Sequence, residues 1–254
     1  MSGSLISRRR LLTTGAVAAP LVLTGCDWLG AQPSFGDMVL GTGEWLSYRV
    51  QRLIGAEALA REFTESEMSP DFRTNGNTMP RSASYAQHLE AGFADWRLEV
   101  GGLIEAPRAF TLAELKAMPA RTQITRHDCV EGWSAIGKWT GVPLGAVLDA
   151  ARLRPEARYV VFRCADDFSG SAYYESLDLV DAFHPQTILA YGMNGGGLPI
   201  GHGAPLRLRV ERQLGYKHAK FVMRVEAVAS LADIGRGMGG FWEDAGNYDW
   251  YAGI

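Results

Sequence analysis

The chain has 254 residues, 47% hydrophobic and 21% charged, with three cysteines and a formal net charge of −3. These proportions exclude a disordered chain, collagen and a disulfide scaffold, and no run of about 18 apolar residues marks a polytopic membrane protein. A chain of this length buries roughly 70–75% of its unfolded surface, enough for a large core and an enclosed site.

In chain order, the first feature is a leader. Ser7-Arg8-Arg9-Arg10-Leu11-Leu12 precedes a mild apolar stretch from Thr13 to Leu23, the basic head and short apolar middle of an export signal. The 14 residues from Leu11 to Thr24 are too short to span a bilayer comfortably. The paired arginines resemble a twin-arginine signal, which exports proteins already folded around a cofactor. Leu23-Thr24-Gly25-Cys26 resembles a bacterial lipobox, in which the cysteine sulfur is acylated. Each buried acyl CH2 contributes about 0.8 kcal/mol, so two or three chains hold a protein on a membrane. The alternative is an ordinary cleavage site with a chance cysteine. The expected location is the periplasm, with a membrane anchor at Cys26. Removing residues 1–25 leaves 229, lowers Lys plus Arg from 25 to 22 against 28 acidic residues, and brings the net charge near −6. No nucleic-acid partner is expected of such a chain.

Residues 26–70 read as a tether and a peripheral helix, with a helical pattern from Leu46 to Phe63, ahead of a main domain over 71–254. From Trp96 the texture turns strand-like, Trp96, Leu98 and Val100 alternating with Arg97 and Glu99. Thr111 and Glu114 form a capping box that starts a short helix through Met118, stopped by Pro119. Strands are predicted at Thr122–Cys129, Tyr159–Cys164, Thr187–Tyr191, Leu206–Val210 and Phe221–Ala229, and helices at Pro143–Ala151 and Leu177–Ala182. Strands and short helices intermingle without regular β-α-β spacing, which predicts an α+β fold with mixed sheets.

Four segments could carry chemistry. In Arg126-His127-Asp128-Cys129 a thiolate would be a soft-metal ligand or nucleophile, its pKa lowered by Arg126 and His127. The alternatives are a buried small hydrophobe at a strand end, or a disulfide to Cys164 in an oxidising compartment. In His202-Gly203-Ala204-Pro205-Leu206-Arg207, the guanidinium follows a turn and can reach an anion in bidentate fashion. Arg209 and Glu211, on the same face by alternation, read as the solvated side of an edge strand. Gly215-Tyr216-Lys217-His218-Ala219-Lys220 is a basic loop able to form an anion-binding concavity or a plain charged turn. Phe72 to Pro80 contains Asn75 and Asn77, amides suited to a purine-like ring edge, although Asn and Gly also make ordinary turns. Gly195-Gly196-Gly197 reads as a flexible turn rather than a dinucleotide fingerprint. The five histidines show no short zinc-ligand spacing.

Together these segments resemble the sulfite oxidase family of molybdopterin enzymes. The match runs from about Phe72 to Ala229, through Phe72-to-Pro80, Trp96-to-Gly102, Cys129 with Glu131-Gly132-Trp133, Trp139-to-Leu144, Gly203-to-Arg207 and Gly215-Tyr216-Lys217. The resemblance implies a sulfite-oxidase-type molybdopterin-binding domain, with molybdenum on a single pterin and Cys129 as its protein ligand. It places pterin contacts on Asn75, Thr78, Met79 and Cys164, and the phosphate tail among His202, Arg207, His218, Ala219 and Lys220. Val130-Glu131-Gly132-Trp133 after the cysteine departs from the animal and plant enzymes. It looks closer to the bacterial exported branch that includes a methionine sulfoxide reductase catalytic subunit. About 25 residues follow Ala229, too few for the family's immunoglobulin-like dimerisation domain, so a monomer is expected. No Cys-x-x-Cys-His haem motif occurs, so a separate electron-transfer protein is implied, a membrane haem protein or a soluble cytochrome.

The activity so implied is oxygen-atom transfer, in the direction of reducing an S-oxide or N-oxide, with Arg126 and Tyr174 shaping the pocket beside Cys129. A sulfite-oxidising enzyme is the alternative on the same centre, although a small oxyanion such as sulfite calls for several convergent cations. From other classes come a Cys129–His127 thiol hydrolase and a cofactor-binding scaffold without turnover.

Overall fold

The computed structural model describes residues 33–55 and 57–254. The leader and Cys26 lie outside the described residues. Two compact units are distinguished. The described part of the first is residues 33–50, and the second runs from Gln51 to Ile254. Helix α1 (Pro33–Gly55) passes through the boundary. The helical pattern predicted over Leu46 to Phe63 therefore stops earlier, at Gly55, whose positive φ of 129° suits a helix end. Beyond it Glu62 pairs with Thr125 along a sheet edge.

In the second unit, short helix α2 (Ala83–Glu90) precedes strands β1 (Arg97–Gly102) and β2 (Arg108–Thr111). The Thr111–Glu114 capping box forms, Glu114 N–H donating to Thr111 Oγ1 at 2.9 Å, and starts α3 (Leu112–Ala117). Strands β3 (Arg121–Cys129) and β4 (Trp133–Pro143) make a long hairpin that leads into α4 (Leu144–Ala151). A second hairpin, β5 (Tyr159–Phe168) and β6 (Ser171–Asp178), ends at α5 (Leu179–Ala182). This helix is shorter than predicted because Leu177 stays in the strand and Asp178 caps it, accepting from Asp181 N–H at 2.9 Å. Strands β7 (Ile188–Met193), β8 (Gly196–Gly197), β9 (Arg207–Arg209) and β10 (Val222–Val228) follow, then α6 (Phe241–Gly246). Asn194 and Gly195, both at positive φ, close the tight β7–β8 hairpin.

Two sheets result, one mixed and one wholly antiparallel, and the fold is α+β. One sheet has the order β2-β1-β10-β5-β6, with β1 and β10 parallel and the other pairs antiparallel. The other runs β3-β4-β7-β8, with β9 also on β7. Strand alternation gives the second sheet two different faces. Val142, Leu189 and Leu208 join the main core with Leu98, Val160, Phe162 and Val225 of the first sheet. Trp139, Ile188 and Ala190 point the other way and pack with Phe72 in a smaller cluster. That second face carries the candidate site.

Candidate active site

Alternation along β3 decides which residues of the cysteine motif can act together. Gln123, Thr125 and His127 are buried on one face with Cys129 at its end, while Arg126 is exposed. Arg126 Nε pairs with Asp128 at 2.9 Å, on the side away from the thiol. The expected lowering of the Cys129 pKa is therefore overturned. Burial pushes the thiol up; the Glu131 backbone N–H opposes this, the Glu131 carboxylate adds to the rise, and Arg73 opposes it. His127 cannot help either, because burial, followed by Arg209 and Arg207, holds it well below its ordinary value. Its Nδ1 lies 3.0 Å from Arg209 Nη1, a donor, so a neutral imidazole accepts there.

Strand β9 supplies buried cations. Its register sets Arg207 opposite Ala190 and Arg209 opposite Ile188, and both guanidiniums lie over the Trp139 ring at 4.9 and 4.4 Å. Arg209 and Glu211 are buried rather than solvated, which corrects the sequence reading. Glu211 accepts two bonds from Arg209 and one, at 2.8 Å, from Gln123 Nε2. An exposed edge is replaced by a fully satisfied ion pair. Arg207 is different. It donates to His202 O at 3.0 Å and His218 O at 3.5 Å, and no carboxylate of the described residues pairs with it. Burial, with Arg209 beside it, lowers its pKa to about 9. Lys220 Nζ donates to the carbonyls of Asn75 (2.6 Å), Asn77 and Gly201 (2.9 Å). Burial and Arg207 bring it down to about 7. His202 falls to about 4 by burial and the same cations, and His218 falls well below its ordinary value.

In front of this cationic wall lies an open cleft. Asn75, Gly76 and Asn77 form one side, and Cys129, Val130 and Glu131 another. Asp166, Phe168 and Tyr173 come from the β5–β6 hairpin, Gly215, Tyr216, His218 and Lys220 from the basic loop, and Trp242 and Tyr248 from the C-terminal segment. In and behind the cleft, Asn75 Oδ1, His127 Nε2, His202 Nδ1, His218 Nδ1 and Arg207 Nε are buried with no hydrogen-bond partner. Such orphans are costly, so their concentration beside Arg207, which has no carboxylate partner among the described residues, and Lys220 suits a polar group with an anionic end. Gly215 is part of that shape, since a Cβ there would sit 2.5 Å from His127 Nε2. A phosphate-tailed pterin, with donor and acceptor atoms on its ring edge, fits these residues, and the Cys129 thiol, a soft ligand, lies on the cleft lining.

The structure brings together Asn75, Cys129, His218 and Lys220 on the cleft, with His202 and Arg207 immediately behind. Ala219 is buried there, but its N–H and C=O are spent on backbone bonds to Lys217 and Leu208. Thr78 and Met79 are exposed and do not line the cleft. Cys164 is half-buried opposite Val222 on β10, away from the lining, and both it and Cys129 are free thiols. Arg126 and Tyr174 are not brought to the cleft. The Tyr174 hydroxyl donates to Asp244, whereas its neighbour Tyr173 faces the cleft and donates to Tyr216 O at 2.8 Å. Asn77, the second amide of the Phe72–Pro80 loop, also lines the cleft, whereas Tyr173, Asp166, Trp242 and Tyr248 lie there without a sequence motif to mark them. Correct phasing of β6 would have found Tyr173, but nothing in the local pattern around 242–248 points to a site.

A thiol-bearing hairpin beside a cleft backed by buried cations, on an α+β scaffold, suits an enzyme that binds an anionic cofactor. Comparison with known proteins makes this specific. The family described as oxidoreductase molybdopterin binding domain matches residues 85–233. The chain is 37% identical to a putative protein-methionine-sulfoxide reductase subunit, YedZ1, of Azospira oryzae, over 96% of this chain and 86% of that one. It is 33% identical to the protein-methionine-sulfoxide reductase catalytic subunit MsrP of Xanthomonas axonopodis pv. citri, over 89% and 71% of the two chains. The crystal structure of the sulfane dehydrogenase SoxCD from Paracoccus pantotrophus aligns with 54% of this chain and 39% of its own, at 26% identity and a TM-score of 0.49. The chain belongs to the sulfite oxidase family of molybdopterin oxidoreductases, and it is a molybdenum-dependent oxidoreductase.

Proposed function

We propose that this enzyme reduces an S-oxide by oxygen-atom transfer, at molybdenum carried on a single pterin. The observation that carries the reading is the placement of Cys129 on the lining of a cleft that also holds Lys220 and is backed by Arg207, which has no carboxylate partner among the described residues. When bound, the cofactor supplies the two-electron oxygen-atom chemistry, and the protein supplies binding and orientation. Cys129 would be the metal's protein ligand, in its thiolate form, since a coordinating thiol gives up its proton to the metal's charge. Asn75 would take the pterin edge. Arg207, Lys220, His202 and His218 would surround the phosphate, whose charge gives Arg207 the partner it lacks.

The cleft's own charge favours a neutral dipolar substrate. Its lining offers Glu131 and Asp166, tyrosine, tryptophan and phenylalanine, with Lys220 as its cation. A sulfite dianion would find no cluster of convergent cations there. Reduction of an S-oxide to a thioether and water consumes two protons. Asp166, held at about 6 by burial against the pull of Lys220 and with Oδ1 unpartnered, is placed to hold one. The relatives are protein-methionine-sulfoxide reductase subunits by name, which supports a sulfoxide side chain as substrate. The basic leader and the Leu23–Cys26 lipobox support export to the periplasm with acylation at Cys26. A separate electron-transfer protein, a membrane haem protein or a soluble cytochrome, would reduce the enzyme.

The test is anaerobic oxidation of a reduced dye by holoenzyme, over a panel of S-oxides, N-oxides and chlorate, beside ferricyanide-coupled sulfite oxidation. Saturable turnover of S-oxides with sulfite oxidation at background is expected. Robust sulfite oxidation without S-oxide turnover would reverse the assignment.

A further inference from the structure

The family match ends at residue 233, yet two walls of the cleft, Trp242 and Tyr248, come from beyond it. Their rings stack at 5.9 Å with 25° between planes. Tyr216 meets Tyr248 edge-on at 5.0 Å, and Phe168 meets Trp242 at 5.1 Å. This gives the cleft an aromatic wall facing the cysteine hairpin.

The wall is fixed with unusual investment. Both residues after Trp242 are buried carboxylates. Asp244 accepts from the Tyr174 hydroxyl, from Arg236 N–H at 2.8 Å and from Met238 N–H at 3.1 Å. Glu243 binds Lys217 Nζ, which also binds Glu175, and all three side chains are fully buried. Tyr216 O–H donates to Asp249 O at 2.6 Å, tying the far end of the segment to the basic loop. Burying charges is expensive unless they are paired with good geometry. Here the pairing holds a six-residue helix so that Trp242 stays half-exposed on the cleft.

We propose that Trp242 and Tyr248 are the specificity-determining residues, and that they bind the apolar arms of a dialkyl S-oxide carried on a peptide side chain. The proposal rests on the S-oxide reading above. Sulfur and its methyl and methylene neighbours make favourable contacts with aromatic rings, and an aromatic wall offers nothing to a bare oxyanion. A small sulfoxide covers little of the wall, while a peptide-borne one can lie along it. Glu243 and Lys217 act as positioning residues for Trp242.

The experiment compares holoenzyme with Tyr248→Ala and with Trp242→Leu, which keeps apolar bulk where alanine could unsettle the segment. Substrates are the S-oxide of N-acetylmethionine methylamide and dimethyl sulfoxide. Binding of the thioether N-acetylmethionine methylamide is measured separately by saturation-transfer NMR, without turnover. KM for the peptide-like S-oxide is expected to rise about ten-fold in each variant, the size of a lost aromatic contact. KM for dimethyl sulfoxide and both kcat values should move less than about two-fold, with molybdenum content unchanged. Equal KM changes for the two substrates, or none, would overturn the proposal, as would a thioether that does not bind. Thioether binding that weakens in the variants while wild type turns over no S-oxide would support the wall and defeat the S-oxide reading instead.

Discussion

His202 and Arg207 share one problem, polar groups held out of water without full compensation. His202 titrates at about 4 in the folded protein instead of 6.5, so on acidification the unfolded chain takes up the proton first. The stability supplied by the neutral imidazole is present above pH 6.5 and lost as pH falls toward 4. Asp166, raised to about 6, contributes with the opposite sign between its ordinary value and 6. The difference between wild type and His202→Asn isolates the histidine. Urea unfolding of cofactor-free protein at pH 7 and pH 4.5 should show a smaller acid loss in the variant, and equal losses would contradict this account. For Asp166→Asn, kcat for S-oxide reduction should fall about ten-fold or more with KM nearly unchanged, as for loss of a proton donor. A KM effect alone would make Asp166 a binding group. At this scale Cys129, Asn75, His202, Arg207, His218 and Lys220 each sit in a short ordered motif of the sequence, and the structure places them on or beside the cleft. Tyr173, rather than Tyr174, lines the cleft, and the choice between neighbours on a strand requires its phase, which Glu175 and Asp178, buried on β6, hide behind acidic residues.

Among the elements, β9 shows why a polar strand can be interior. Its two arginines stack on Trp139, and Glu211 with Gln123 satisfies Arg209. Arg209→Met leaves Glu211 buried and unpaired and should cost about 3–5 kcal/mol, read from chemical denaturation. Arg209→Met with Glu211→Leu should recover most of that loss, and no recovery would mean the pair is not the cause. The basic loop depends on a close approach. Gly215→Ala places a methyl against His127, whose ring Arg209 already holds, so molybdenum occupancy should drop sharply in the purified variant. Normal occupancy would show that the approach is not needed. The capping box and the alternating strands were readable from sequence. Strand β4 was not, because Gly137, Lys138 and Gly141 interrupt its pattern. The two glycines are there for contact, against the Phe72 ring and the Leu189 carbonyl, and neither partner is visible in a local window.

For the whole molecule, the two sheets divide the work. The face of the second sheet toward the first builds the apolar core, and its other face carries the histidines, arginines and cysteine. The α+β class follows from composition and alternation, but the joining of loops 72–80, 126–132 and 202–220 around one cleft depends on contacts between distant residues. The resemblance to a known family made that joining readable; periodicity did not. The account stands on the sulfur of Cys129 being bonded to molybdenum. X-ray absorption at the molybdenum edge, with metal analysis, on wild type and Cys129→Ser purified from a host that makes the cofactor tests this directly. Stoichiometric molybdenum in wild type and a sulfur ligand missing from any molybdenum that Cys129→Ser retains is the expected result. Identical sulfur coordination in both proteins, or wild type without molybdenum, would contradict it.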